Sequence, residues 1–149
     1  MGKIEKRLED LGITLPEVPK PLGTYIPVNR YGDLVYTSGQ GSREIRGQVG
    51  AEITIDQGYE AARDATLRCL ACLQAELGTL DKVKKIFKVL GFINSAPGFG
   101  GQPAVLNGCS DLLVKVFGEA GRHARSAIGT SALPNGIAVE VEMLVVVEE

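Results

Sequence analysis

Apolar and polar residues alternate along residues 123–147, and this alternation predicts two β-strands. They are joined around residues 133–136, where Asn-Gly between two β-favouring runs is a strong turn signal. The side chains of the second strand divide between two faces, Ala138, Glu140, Glu142 and Leu144 on one and Val139, Val141, Met143 and Val145 on the other. We expect the valine face to lie in the core.

The opposite face of that strand carries two neighbouring carboxylates, Glu140 and Glu142. Such groups need solvent or a cationic partner, since burying an unpaired carboxylate is very unfavourable. Arg125 in the preceding strand is the candidate cation. We therefore expect the chemistry to lie between Arg125 and Glu140, although the same residues can form a purely structural ion pair.

The N-terminal region has a helical pattern followed by prolines. An amphipathic helix ending near Gly12 is predicted by the spacing of three apolar residues, Ile4, Leu8 and Leu11. Residues 14–21 contain three prolines and favour an extended connector. We expect residues 1–20 to form an arm outside the core and residues 21–149 to form one domain.

Three strands are predicted before the first long helix: an edge strand over residues 25–30, a firmer strand over 34–38, and a weaker one within 41–50. Residues 54–57 match a capping box, which begins a helix that continues to about Leu77. Small residues on one stripe of this helix indicate close packing against a sheet.

A long strand is predicted over residues 83–93, followed by a glycine-rich loop and a second long helix that Pro103 begins. The order βββαβαββ predicts an α+β fold in which both helices cover one face of a mixed sheet. We expect Arg125, Glu140 and Glu142 on the other face, which is only partly apolar. Such a face predicts a homo-oligomer.

Composition excludes several classes of function. The 149-residue chain has a net charge of −2 and no basic block, so we expect no nucleic-acid partner. No apolar segment follows the charged N-terminus, so we expect neither a signal peptide nor a membrane partner, and the cytoplasm as the compartment.

The three cysteines and the single histidine, His123, offer little for metal or redox chemistry. Cys69 and Cys72 form a CxxC pair, but they lie inside a helical pattern without a second pair. Core packing is the favoured interpretation, and no metal site is expected. His123 lies at a helix-to-strand junction, where capping or exposure is its expected role.

Short segments in a fairly specific order suggest a family. They are Gly23-Thr-Tyr25, Thr37-Ser38-Gly39-Gln40, Asn107, Ala124-Arg125-Ser126, Leu133-Pro134 and Val139-Glu140-Val141-Glu142. Through them residues 21–147 resemble the RidA/YjgF family of reactive intermediate deaminases, also known by the older name endoribonuclease L-PSP. The N-terminal region and the loop over residues 94–102 resemble a longer branch of this family.

The resemblance implies a chorismate-mutase-like fold and a homotrimer with ligand sites in clefts between subunits. It implies hydrolysis of enamines and imines, such as 2-aminoacrylate and 2-iminobutanoate, to 2-keto acids and ammonia without a cofactor. Arg125 would bind the substrate carboxylate and Glu140 would handle the water. Three further residues at matching cleft positions are Tyr25, Ser38 and Asn107.

Two departures from the family pattern leave alternatives open. Ala127 stands where deaminases commonly have cysteine, although a backbone N–H that contacts ligand would remain. Phe99, in the longer loop, is either a lid or a packing residue, and Ser38 and Asn107 can likewise be structural. A non-catalytic trimer that binds small carboxylates is the second hypothesis, and ribonuclease activity is the third.

Overall fold

Three helices and six strands make up the fold in the computed structural model, which describes residues 1–148. Their bounds are α1 (Lys3–Asp10), β1 (Val28–Tyr31), β2 (Leu34–Thr37), β3 (Gln40–Gly41), α2 (Ile55–Leu77), β4 (Val83–Asn94), α3 (Gln102–Phe117), β5 (Ala124–Thr130) and β6 (Val139–Val147). The predicted order of strands and long helices is confirmed, and the fold is α+β.

Helix α2 begins and ends where the sequence predicts. The Thr54 hydroxyl accepts a hydrogen bond from the Gln57 backbone N–H at 3.1 Å, and the Gln57 side-chain oxygen accepts one from the Thr54 N–H at 2.8 Å. Gly78 follows the last turn with φ of 85°, a conformation that glycine adopts without strain. These caps fix the register of the buried stripe of α2 against the sheet.

The strands form one mixed sheet in the order β1-β2-β6-β4-β5, and β3 pairs with the first half of β6. Strands β4 and β5 are parallel, whereas the other pairs are antiparallel. β5 and β6 are therefore not neighbours, although the Asn-Gly signal suggested two strands meeting at a turn. Asn135, with φ of 58°, does reverse the chain, but a turn signal does not specify which strand the chain pairs with next.

Both long helices pack on one face of this sheet, as predicted. At Gly91 in β4 the missing side chain leaves room for Leu106 of α3, and at Gly108 in α3 it leaves room for the Tyr59 carbonyl of α2. The opposite face, which we call the open face, carries side chains that are exposed in the single chain. Four of the exposed apolar residues on these strands are Leu34, Tyr36, Phe87 and Ile128.

Helix α1 is attached to the domain, which corrects the expectation of an arm outside the core. Leu8 is 4% exposed and belongs to the core cluster. The Asp81 carboxylate accepts hydrogen bonds from the backbone N–H groups of Lys3 and Ile4 at 2.8 and 2.7 Å, which caps the helix from outside. The division of the chain at residue 20 stays a prediction.

Candidate functional site

Glu140 lies in β6 between Gly41 of β3 and Phe92 of β4, on the open face. Its side chain passes directly over Gly39, where an added Cβ would lie 2.7 Å from the carboxylate oxygen. The carboxylate lines a cleft of about 350 Å³ together with Tyr25 and Pro134. Glycine at position 39 thus provides the space that lets a half-buried carboxylate face this cleft.

The surroundings of Glu140 favour its protonated form. Burial raises the pKa of Glu140 above its ordinary value, and the nearby charge of Glu142 raises it further. Glu142 also raises the pKa of Tyr36, first through a hydrogen bond with the tyrosine side chain. A carboxylate with a raised pKa is a stronger base than an ordinary one, which suits it to accept a proton from water.

Arg125 lies on edge strand β5, where two contacts with α3 hold its guanidinium. Nη1 donates to the Ser110 hydroxyl at 3.1 Å, and Nη2 donates to the Pro103 carbonyl at 3.2 Å. Among residues 1–148, no carboxylate oxygen lies within 4.0 Å of this guanidinium. The remaining N–H groups and the positive charge are therefore available to an anion.

His123 and Ser110 extend this arrangement beyond the arginine. His123 Nε2 lies 2.9 Å from the Ser110 oxygen, and Nδ1 lies 2.6 Å from the Gly121 carbonyl oxygen. Burial lowers the pKa of His123, the Gly121 carbonyl opposes this, and the charge of Arg125 lowers the pKa further. The expected capping role agrees with the contact to the Gly121 carbonyl at the end of the turn after α3, and the ring in addition contacts Ser110, the partner of Arg125.

Arg125 and Glu140 do not meet within one chain, which corrects the expectation that they share a face. Arg125 pairs with Val89 of β4, a fully buried residue of the helix-covered face, whereas Glu140 pairs with Phe92 three residues further along. Their Cα atoms are two strand spacings apart across the sheet and three residues apart along it, which gives a distance of about 14 Å. The two groups can therefore act on one small molecule only if they come from different subunits.

Two of the other predicted site residues lie near one of these groups. Tyr25 lines the Glu140 cleft, and its hydroxyl accepts a hydrogen bond from the Leu22 N–H at 3.2 Å. Asn107 is exposed on α3, four residues after Pro103 and three before Ser110, so all three lie on the helix face toward Arg125. The predicted cleft residues thus divide into a Glu140 half and an Arg125 half.

The remaining three predicted residues have local contacts. The Ser38 hydroxyl donates to the Ile26 carbonyl at 2.7 Å, which fastens the segment after Tyr25. Phe99 packs against the core and close to Gly50 and Gly101, so it occupies the packing position rather than that of an open lid. Ala127 is half-buried beside Gly91 of β4 and also packs on the core.

Sequence reasoning missed Ser110 and the space above Gly39. Helical periodicity could have found Ser110, because it lies three residues after Asn107 on the same face of α3. The role of Gly39 depends on the crossing of two strands that are distant in sequence, so no local signal reports it.

Nothing in residues 1–148 brings together three or more histidine, cysteine, aspartate or glutamate side chains in a way that could hold a metal ion. The three cysteines are free and buried in the core. No helix in this part of the chain has the length and apolar character needed to span a bilayer.

Comparison with known proteins identifies relatives along nearly the whole chain. Residues 5–145 match the family model described as "YjgF/chorismate_mutase-like, putative endoribonuclease". Protein TCP17 of Trypanosoma cruzi is 43% identical over 150 residues, covering 97% of this chain and 94% of that protein. The 2-iminobutanoate/2-iminopropanoate deaminase of Dermatophagoides farinae is 30% identical over 136 residues, covering 91% and 95% of the two chains.

A solved structure agrees with this assignment. The crystal structure of a Shewanella oneidensis MR-1 protein with the same endoribonuclease description superposes with a TM-score of 0.94 at 36% identity. The match covers 98% of this chain and all of the other. Sequence, fold and strand order therefore agree, and this chain belongs to the RidA/YjgF family, with its chorismate-mutase-like fold.

Proposed function

We propose that this protein hydrolyses enamine and imine intermediates of the 2-aminoacrylate and 2-iminobutanoate type to 2-keto acids and ammonia. The single observation that carries this proposal is the pair of half-sites: a carboxylate with a raised pKa in a cleft, and an arginine, held on an edge strand, that has no ion-pair partner among residues 1–148. The relative from Dermatophagoides farinae, a deaminase of this kind, supports the same reaction.

In the proposed mechanism Arg125 holds the substrate carboxylate while Glu140 takes a proton from the attacking water. An enamine substrate first becomes the imine by moving a proton from its nitrogen to its β-carbon. The water oxygen bonds to the C=N carbon, the π electrons pass to the nitrogen, and the proton on Glu140 passes to that nitrogen, which gives a neutral carbinolamine. The carbinolamine hydroxyl then gives its proton through Glu140 to the nitrogen, the C–N bond breaks, ammonia leaves and the C=O bond forms. Glu140 is restored to its carboxylate form at the end. Each part of this chemistry is performed by protein side chains and water, so the mechanism requires no cofactor.

We further propose that the site forms between subunits of a homotrimer. Three observations support this: Arg125 and Glu140 are on opposite faces, the outer edge of β5 has no partner strand among residues 1–148, and the open face carries exposed apolar side chains. A contact that brings the β5 edge of one subunit to the open face of the next would join the two half-sites. The buried free thiols support the cytoplasm as the compartment.

The test is the release of 2-keto acid from 2-iminobutanoate that a dehydratase generates in the same tube. The wild-type protein should accelerate release, whereas Arg125→Ala and Glu140→Gln should lose most of this acceleration. The expected loss for Glu140→Gln is roughly 10²- to 10⁴-fold, the usual contribution of a general base. Glu119→Gln, which removes an exposed carboxylate paired with Arg122, is the matched control and should behave as wild type.

Binding without turnover is the second candidate function. The Arg125 half-site is complete without Glu140, and Ala127 replaces the cysteine that is common in the deaminases. A carboxylate binder would show no acceleration of imine hydrolysis, yet would bind 2-oxobutanoate in calorimetry and lose this binding in Arg125→Ala. Failure of both the turnover and the binding experiment would contradict both candidates.

A further inference from the structure

A series of contacts runs from the Arg125 guanidinium to the Gly121 carbonyl through Ser110 and His123. Arg125 Nη1 lies 3.1 Å from the Ser110 hydroxyl oxygen, and His123 Nε2 lies 2.9 Å from the same oxygen. His123 Nδ1 lies 2.6 Å from the Gly121 carbonyl oxygen. These contacts join β5 to α3, and α3 to the turn that follows it. Ser110, His123 and Gly121 take no part in the proton transfers of the proposed reaction.

The chemistry of the last contact fixes the direction of the others. A carbonyl oxygen only accepts, so His123 Nδ1 must carry the hydrogen that it shares with Gly121. In the neutral ring Nε2 is then bare and accepts the Ser110 hydroxyl hydrogen. This leaves the lone pairs of the Ser110 oxygen for Arg125, so every group donates to the next in one direction.

The charges around His123 also favour the neutral ring. Arg125 faces it through Ser110, and three further cations, Lys85, Lys88 and Arg122, line the surface hollow beside the ring. Burial is the largest cause that lowers the pKa of His123, ahead of the charge of Arg125. A protonated ring would have to donate from Nε2 to Ser110, which would turn the hydroxyl hydrogen toward the guanidinium.

We propose that Ser110 and His123 are positioning residues that fix the Arg125 guanidinium for an anionic substrate group, and that they do so only while the imidazole is neutral. The inference rests on the proposed role of Arg125 as the carboxylate clamp. An arginine side chain has several rotatable bonds, and contacts at Nη1 and Nη2 hold it in one orientation before the ligand arrives. The neutral ring keeps the serine oxygen pointed at Nη1.

His123 is the only histidine of the chain, which allows a direct test in the tag-free protein labelled with ¹⁵N and ¹³C. We expect NMR to find the Nδ1–H tautomer and a pKa for His123 below its ordinary value of about 6.5. Arg125→Gln should raise this pKa, because it removes a facing charge, whereas Arg30→Gln, an exposed change on β1 at the opposite edge of the sheet, should leave it almost unchanged. Saturating 2-oxobutanoate should lower the pKa further, because a ligand that binds the neutral-ring form more tightly stabilises that form.

Variants test whether the same contacts position the clamp. Ser110→Ala and His123→Phe should each weaken 2-oxobutanoate binding about tenfold at pH 8, as expected for a lost hydrogen bond to a charged group. His123→Gln keeps an uncharged acceptor near the Nε2 position and should restore most of the affinity. In the wild type, binding should weaken as pH falls through the His123 pKa, and His123→Gln should lack this step.

The outcomes separate this inference from the proposed function. If Arg125→Gln binds 2-oxobutanoate as tightly as wild type does, Arg125 does not bind the substrate carboxylate. The proposed function and the positioning proposal are then both contradicted. If Arg125→Gln abolishes binding while Ser110→Ala and His123→Phe bind normally, only the positioning proposal is overturned. An Nε2–H tautomer of His123 would overturn the positioning proposal. A His123 pKa that changes with neither Arg125→Gln nor the ligand would overturn it as well, and neither result requires a variant of Ser110 or His123.

Discussion

The geometry of Arg125 allows a quantitative prediction for replacing it by lysine. A guanidinium has five N–H donors, and here two of them are bound to Ser110 and Pro103. Three donors remain for a ligand carboxylate, enough for the two parallel hydrogen bonds that arginine forms with such groups. Lysine keeps the charge, but its single nitrogen cannot contact α3 and both carboxylate oxygens with the same geometry.

We therefore expect Arg125→Lys to lose one charge-assisted hydrogen bond, about 2 kcal/mol, which weakens binding of 2-oxobutanoate roughly 30-fold. Arg125→Ala also loses the charge, and we expect about 4 kcal/mol, or roughly 1,000-fold. Calorimetry of the intact protein measures both. Arg122→Lys is the matched control, because Arg122 is a neighbouring but exposed arginine that pairs with Glu119.

Equal affinities for wild type and Arg125→Lys would refute the reasoning, because they would show that charge alone, without the forked geometry, accounts for binding. A loss in Arg122→Lys equal to that in Arg125→Lys would also refute it, since the loss would then not depend on the contacts made at position 125.

Three further predictions concern the base, the core and helix α1. Glu142→Gln removes a charge that raises the pKa of Glu140. Because activity falls as the Glu140 carboxylate becomes protonated, the acidic limb of the pH–rate profile should move to lower pH. Gly108→Ala should lower the free energy of unfolding by about 3 kcal/mol in urea, because its Cβ would overlap the Tyr59 carbonyl; Gly100→Ala, in open space, should not. Asp81→Ala should reduce the hydrogen-exchange protection of α1, since it removes both capping hydrogen bonds. An unmoved limb, equal stability in the two glycine variants, or unchanged protection would contradict the respective prediction.

The secondary structure was predictable because its signals are local. The capping box at Thr54, the proline at the start of α3 and the alternation in β6 each depend on neighbouring residues, and each is confirmed. The pairing of β5 was not predictable in the same way. A turn at Asn135 and Gly136 specifies a reversal, whereas β5 pairs with β4 through contacts that no short segment encodes.

The same distinction applies to the site. The predicted residues include Arg125, Glu140, Tyr25 and Asn107, which the fold arranges in two half-sites. The sequence did not show that Arg125 and Glu140 lie on opposite faces, because the face of Arg125 depends on its pairing with Val89 and hence on the strand order. Ser110 was detectable only through its spacing from Asn107, since a serine within a helix is otherwise ordinary.

The most direct test of the account mixes two inactive proteins. If each site takes Arg125 from one subunit and Glu140 from its neighbour, refolding Arg125→Ala with Glu140→Gln in equal amounts restores both groups at about one quarter of the sites. The mixture should then show about one quarter of the wild-type rate of 2-keto acid release from 2-iminobutanoate, although each variant alone has almost none. A mixture as inactive as its components, beside an active wild type refolded in the same way, would contradict a site shared between subunits.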